Sequence, residues 1–575
     1  MFDVLIQGGT VLDGTGAPRR EADVAIRDGR IVGVGRFDEG AKQVIDASGC
    51  MVAPGFVDIH THFDAQAFWD PTLSPSPLHG VTTVVGGNCG FSIAPLSAEA
   101  GDYLKRMLAR VEGMPLEALD AGVPWSWKSF GEYLGQLDGT LAINAGFLVG
   151  HSALRRVVMG EDAVGHEATP EQLDAMVALL RESIREGGLG FSSSRAPTHN
   201  DGEGQPVPSR HAAREEFVAL AGAIRDEPGT VLEFLPGIGT FDEETVQLMV
   251  DLSLAANRPL NWNVLGVSAF MPDLYEGQLA ASDRAAEAGA KIVALTPSQV
   301  MSLRINLLSG FIFDAFPEWP AVIGLPVEER KKALADPTVR ERLKKGAASD
   351  EAGALRALAI WENVTVDQTF TEANAHLQGR KLGEIGEELG KDPFDVMLDL
   401  ALSEDLRTWF MPFIPGDDPK SWELRSEVWR DPRTIIGASD AGAHLDMIDT
   451  FTCSTSLLGP AVREKELLSW EEAIHQLTQI PAELYGIVDR GLLAEGMHAD
   501  VVVFDPERVG PGPVHVKHDL PAGAARLYAE ADGIEHVLVN GVEIVRGKEF
   551  TDARPGTLLR SGRDTKTVAV PAGGE

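Results

Sequence analysis

Ala53-Pro54-Gly55-Phe56-Val57-Asp58-Ile59-His60-Thr61-His62-Phe63-Asp64 is an apolar run that ends in two histidines one residue apart. On extended backbone, residues i and i+2 project to the same side, so both imidazoles can reach one metal ion. A His-x-His pair alone is a weak signal, because the spacing arises by chance in many proteins. Its weight comes from where it falls. Before it, residues 1–53 alternate short apolar strands with tight turns: Val4-Leu5-Ile6-Gln7 runs into Gly8-Gly9, and 22–26 runs into Asp28-Gly29. Asp-Gly between apolar alternations is a strong hairpin cue. After it, short apolar runs alternate with amphipathic helices, the texture of βα units.

Eight such runs are expected strands: 55–60, 81–86, 143–150, 188–193, 230–235, 259–264, 291–297 and 434–440. The helix before the fourth is well marked. Thr169 caps it, Pro170 takes the first turn, Gln172 completes a capping box, and Leu173, Met176, Val177, Leu180 and Ile184 form its apolar stripe. Eight parallel strands with crossover helices predict an α/β fold, a (β/α)8 TIM barrel over 54–485. The β texture of the N-terminus returns at 499–504 and in the hairpin 536–545. Neither end can bury a core by itself. Pairing 1–53 with 486–560 into one small β-sandwich domain is therefore expected, followed by a tail over 561–575 whose last five residues are disordered. The stretch 302–433 is far longer than a normal connection. It carries a strand-like run at Val364-Thr365-Val366-Asp367 and an amphipathic helix through Phe394, Val396, Met397, Leu400 and Leu402. It reads either as a wall or lid over a pocket or as plain packing.

The second chemical element is Thr434-Ile435-Ile436-Gly437-Ala438-Ser439-Asp440-Ala441-Gly442-Ala443-His444, a strand that ends in an acidic residue within a Gly-containing loop. A carboxylate placed there can ligate a metal and take the proton of a water, the general-base role in metal-assisted hydrolysis. Taken alone, Asp440 reads equally well as a loop cap.

Gly55-Phe56-Val57-Asp58-Ile59-His60-Thr61-His62 and Ser439-Asp440 resemble the first-strand and eighth-strand signatures of the amidohydrolase superfamily. Thr82-Thr83-Val84-Val85-Gly86-Gly87-Asn88-Cys89-Gly90-Phe91-Ser92 is similar to the N-acyl-D-amino acid deacylases within it, as are 148–155, 190–194 and 487–500. In that group the cysteine of the Asn-Cys-Gly turn is a metal ligand, which implies that role for Cys89. A thiolate suits zinc, and the end of the fourth strand offers no lysine for a carbamate bridge. The chain departs from the pattern at the fifth and sixth strands, where the family places histidines. Here Glu233 and Asn263 fall in the corresponding stretches. That departure from the family's pattern leaves one zinc ion expected rather than two, held by His60, His62, Asp440 and Cys89, with room for water.

Other candidates are softer. His151 ends the third strand and is read as binding substrate or as a core imidazole. Arg195 and His199 follow the fourth, Arg195 as a carboxylate clamp or a surface ion pair. Glu233 is read as a carboxylate supplied in place of the histidine, as a substrate contact or as an interior group. His79 precedes the second strand and is read as structural, as are Cys50 and Cys453, and His444 lies four residues past Asp440.

In 575 residues, 44% are hydrophobic and 24% charged, a globular composition; a net charge of -36 argues against a nucleic-acid partner. Three scattered cysteines form no disulfide framework, and no window has the length of an uninterrupted membrane span. The expectation is a cytoplasmic enzyme with a small-molecule amide substrate and no membrane partner, a homo-oligomer being left open. The expected reaction is hydrolysis of the C–N bond of an N-acyl (D-)amino acid or similar small amide, with Asp440 moving the proton. Two other readings stand beside it: hydrolysis of a cyclic amide or imide, and a metal-free scaffold.

Overall fold

Asp28 and Gly29 both take positive φ, 51° and 73°, and close the hairpin between Arg20–Arg27 and Arg30–Gly35. Asn540 and Gly541 do the same, at 48° and 76°, between Ile534–Val539 and Val542–Arg546. Two consecutive left-handed residues give the turn whose twist matches that of the strands it joins. Both hairpins belong to one nine-stranded sheet built from the two ends of the chain. The ends meet where Met51–Pro54 pairs antiparallel with Val501–Phe504. The pairing then passes directly to the His-x-His strand, because Gly55 N donates to Asp500 O at 2.9 Å. Only glycine fits at 55, since a Cβ there would lie 2.1 Å from Thr82 Oγ1.

The computed structural model describes residues 1–310 and 312–570 and is mixed α/β. Between the two halves of the terminal sheet, a series of strands runs parallel. Phe56–Asp58 pairs Val81–Gly86, which pairs Asn144–Phe147. That strand breaks at Leu148 and resumes as Val149–Gly150, which pairs Gly190–Ser194. Val231–Leu235, Leu260–Trp262, Ile292–Thr296 and Thr434–Ile436 follow in order, each parallel to the last. An isolated parallel bridge, Thr61 with Ala441, links the chain just past the last strand to the chain just past the first.

Several strands are shorter than the apolar runs suggest: the first stops at Asp58 rather than 60, and the last at Ile436 rather than 440. The reason is local. Past Ile436 the chain turns into the loop that carries Asp440, where Ala438 and Asp440 take positive φ, 58° and 51°. The expected helix is Pro170–Arg185, with Thr169 Oγ1 accepting Gln172 N at 3.3 Å and Gln172 Oε1 accepting Thr169 N at 2.8 Å.

The insertion has its own core, centred on Trp319, Trp361, Phe394 and Met397. It contains a two-stranded sheet, Thr365–Gln368 with Trp409–Met411, and the helix Pro393–Ser403. At the C-terminus, 561–568 does not behave as a free tail. Thr565 is buried and donates to Gly229 O at 2.6 Å, and Lys566 N donates to Gly486 O at 2.8 Å. The expected disorder at 571–575 lies outside the described residues. Among the described residues, no helix is long and apolar enough to cross a membrane.

Candidate metal centre

The His-x-His segment stays extended past the end of its strand because its neighbours continue the ladder. Thr61 N donates to Val85 O at 3.0 Å and His62 N to Ala441 O at 2.8 Å. Both imidazoles therefore project to one side, with ring centroids 5.5 Å apart, and both are buried. Asp440 reaches the same point from the other end of the parallel series. Its Oδ1 lies 3.3 Å from His60 Nε2 and 3.3 Å from His62 Nε2. The register of the two segments is locked from below, where Asp58 accepts from the hydroxyl of Ser439 and from His60 N.

Cys89 arrives on a clamped turn. Asn88 Nδ2 donates to Thr61 O and Val85 O at 3.1 and 2.9 Å, Asp64 accepts Gly87 N at 2.8 Å, and Ser192 Oγ accepts Gly90 N at 3.0 Å. Gly87, at φ 75°, passes so close to Leu148 that a Cβ would sit 2.3 Å from its carbonyl oxygen. Cys89 itself takes φ 55°, which leaves its sulfur 3.5 Å from His60 Nε2. The ligand atoms of His60, His62 and Cys89 all lie within 4.8 Å of one another.

Acidic groups surround these three. Glu112 Oε1 lies 3.3 Å from His62 Nδ1, and Glu233 Oε2 accepts Cys89 N at 2.9 Å. Burial pushes Glu233 up to about 8, the backbone bond from Cys89 opposing it. Burial, and then the Glu233 charge, pushes the Cys89 thiol well up. Burial also works to raise Asp440, but the hydrogen bonds from His60 and His62 prevail and hold it well below the usual carboxylate range. At His62 burial opposes the charged form, and Glu112 and Asp440 outweigh it, to about 9. Two buried oxygens at the site, Glu233 Oε1 and Asn263 Oδ1, have no hydrogen-bond partner among the described residues. Asn263 Nδ2 sits 3.1 Å from His60 Nε2 and 3.8 Å from Cys89 Sγ, so a half-turn of the amide would bring Oδ1 to the same place. Two imidazoles, a thiol and surplus carboxylates fit a soft divalent cation such as zinc.

The centre forms one end of a cavity of about 420 Å³ lined by His62, Cys89, Glu112, His199, Asn263, Asp440 and His444, with apolar walls from the insertion and the loops after the strands. His199 lines this cavity: it is buried, and burial pushes its imidazole down to about 3. Ser194 Oγ accepts Ala196 N at 3.1 Å and lies 2.8 Å from His199 Nδ1; in the tautomer where the Ser194 hydroxyl donates to Nδ1, the ring carries its proton on Nε2.

His151 and Arg195 are placed elsewhere. His151 is buried with both nitrogens engaged, Nδ1 with Ser193 Oγ at 2.8 Å and Nε2 with Glu216 Oε1 at 2.7 Å. Glu216 also pairs Arg155, and this network, not substrate, satisfies the imidazole. Arg195 is partly exposed, 3.7 Å from Glu244, and does not line the cavity. His79 is buried between Thr455 Oγ1 and Ala529 O, Cys50 is half-buried, and Cys453 lies 3.3 Å from Ser298 Oγ. Sequence reasoning missed Glu112 and Asp64. Glu112 lies one residue past the helix Ala100–Val111, where nothing in the local pattern separates it from a solvated acid.

Residues 43–545 match the model of the Amidohydrolase family. The chain belongs to that family. Membership places it among hydrolases of carbon–nitrogen bonds other than peptide bonds. The chain is 30% identical to an N-acyl-D-aspartate deacylase of Alcaligenes xylosoxydans xylosoxydans, over 97% of this chain and 95% of that one. It is 29% identical to a D-aminoacylase of the same organism, over 97% of each. Among solved structures it is similar to an N-acyl-D-glutamate deacylase from Bordetella bronchiseptica complexed with zinc and a phosphonate inhibitor. That match has a TM-score of 0.64 and 26% identity over 97% of this chain and 100% of that one.

Proposed function

We propose that this amidohydrolase is a zinc enzyme that hydrolyses the amide bond of N-acyl-D-amino acids with one ion per chain. The parallel strands are read as a closed (β/α)8 barrel, with the terminal sheet as a small β-sandwich domain beside it. One observation carries the functional reading: the ligand atoms of His60, His62 and Cys89 converge within 4.8 Å at the foot of a 420 Å³ cavity, with Asp440 facing them. His60, His62, Cys89 and Asp440 would hold the ion. Glu233 and Asn263 stand at the fifth and sixth strands in place of histidines, so those two strands supply no imidazole for a second ion.

When bound, zinc supplies Lewis-acid polarisation of the amide carbonyl and lowers the pKa of a coordinated water. The protein's own groups do the rest. Glu112 orients His62, as partners of ligating imidazoles do. Asp440, held as the carboxylate, takes the proton of the attacking water and passes it to the leaving nitrogen. His199, neutral with its proton on Nε2, donates to the oxygen on which negative charge develops.

The test is turnover by zinc-loaded protein of a panel of N-acyl-D- and N-acyl-L-amino acids beside hydantoins. Release of free D-amino acid supports the reading, and turnover of hydantoins alone would replace it. Within the reading, His199→Phe is expected to lower kcat by about 10²–10³-fold with little change in KM. Unchanged kcat would remove His199 from the mechanism.

A further inference from the structure

Arg425 lies within the helix Pro419–Trp429, is 5% exposed, and lines the same cavity as the metal centre. Its Nη1 donates to Gly416 O at 2.6 Å, and its guanidinium lies over the Trp422 ring, 4.8 Å from the centroid. No other nitrogen of the group has a hydrogen-bonded partner among the described residues, and no carboxylate among them forms an ion pair with it. The two nearest acids are otherwise occupied. Asp417 accepts from Trp422 Nε1, and Asp418 caps the helix through Ser421. Burial pushes the guanidinium down to about 10, against the weaker pull of those two acids. A guanidinium buried without a counter-charge is costly to keep, and its planar fork matches a carboxylate through two parallel hydrogen bonds.

The rest of the cavity narrows what the ligand can be. Among its described lining residues Arg425 is the only lysine or arginine, and His199 is neutral. Glu112 and Asp440 are acidic, and much of the wall is apolar, including Leu235, Val267, Met301, Leu355, Leu358 and Ile448. Away from the metal centre and the histidines, a second carboxylate on the ligand would meet apolar side chains, neutral groups such as Gln278, Gln299 and Thr450, or like charge, with no second guanidinium or ammonium among the described lining residues to pair it.

We infer that Arg425 is the subsite for the single carboxylate of the substrate, and that the remainder of the substrate is uncharged and apolar. The inference rests on the hydrolase reading above and sharpens it. The chain prefers N-acyl amino acids with apolar side chains over N-acyl-aspartate or N-acyl-glutamate.

The experiment compares wild type, Arg425→Lys and Arg425→Met as zinc-loaded full-length protein. Substrates are N-acetyl-D-leucine, N-acetyl-D-aspartate and N-isopentylacetamide, the last being the leucine compound without its carboxylate. Wild type is expected to favour the leucine compound over the aspartate compound. Arg425→Met is expected to lose about 10- to 100-fold in kcat/KM on N-acetyl-D-leucine, chiefly through KM, as loss of a charge-assisted pair predicts. Its loss on the neutral amide should be far smaller, and Arg425→Lys, which keeps the charge but not the fork, should fall between. Equal losses on the two leucine compounds, or a wild-type preference for the aspartate compound, overturn the inference. Calorimetric titration with N-acetyl-D-leucine and with the neutral amide separates this from the parent reading. Arg425-dependent binding of the carboxylate without turnover refutes the hydrolase reading alone; turnover without any Arg425 dependence refutes the inference alone. Thermal unfolding checks that each variant is folded, and if Arg425→Met is not, Arg425→Lys decides.

Discussion

Asp440→Asn is expected to lower kcat by about 10²–10⁴-fold while zinc stays bound. The asparagine keeps the shape and one oxygen donor in the same place, 3.3 Å from both imidazole Nε2 atoms, but it cannot accept a proton at neutral pH. Its position should not drift, because the turn is set by the Ser439–Asp58 hydrogen bond and by Ala441 N donating to Ser439 Oγ at 3.1 Å. The two measurements needed are kcat under saturating substrate and metal content after dialysis. Full activity in the variant would remove Asp440 from proton transfer. Lost activity together with lost zinc would make it a ligand only.

Cys89→Ser is expected to weaken zinc binding by more than the 10–100-fold that loss of an outer partner typically costs. The sulfur is the sole thiol near the imidazoles among the described residues, and as a ligand it would act as the anionic thiolate. A serine hydroxyl does not deprotonate readily and is a poor substitute. The turn itself should survive, since Asn88, Asp64, Ser192 and Glu233 hold its backbone. Competition with a chromophoric chelator gives the affinity. The rise in unfolding temperature on adding zinc should shrink in parallel, because metal that binds only the folded chain stabilises it in proportion to its affinity. Wild-type zinc retention in the variant would exclude the thiol from the centre.

Much of the centre is legible in the amino-acid sequence. His60 and His62 are separated by one residue on extended backbone, and that local spacing already dictates a shared direction. Asp440 stands out as an acid at the end of an apolar strand. Cys89 needs the Asn-Cys-Gly turn, whose meaning comes from resemblance rather than from spacing. Where expectation and fold part, the cause is shared. His151 and Arg195 both follow strands at plausible positions. Which way a side chain turns after a strand, and whether Glu216 waits for it, depends on a helix 65 residues further along. The strands also stop earlier than their apolar runs, because pairing ends where the neighbouring chain leaves for its own loop.

What the chain encodes locally is whatever repeats over short distances. The hairpins at Asp28-Gly29 and Asn540-Gly541, the capping box at Thr169, and the pair His60 and His62 are each written in φ preference or in strand periodicity. Which distant groups share a cavity is settled by tertiary packing. It brings Glu112 to His62, Glu233 to Cys89, Asn263 to His60, and the insertion's Arg425 to the wall of the same space. Burial is what gives these groups their chemistry. It raises Glu233, lowers His199 and leaves Arg425 without a counter-charge, and it is a property of packing that no local stretch of chain encodes.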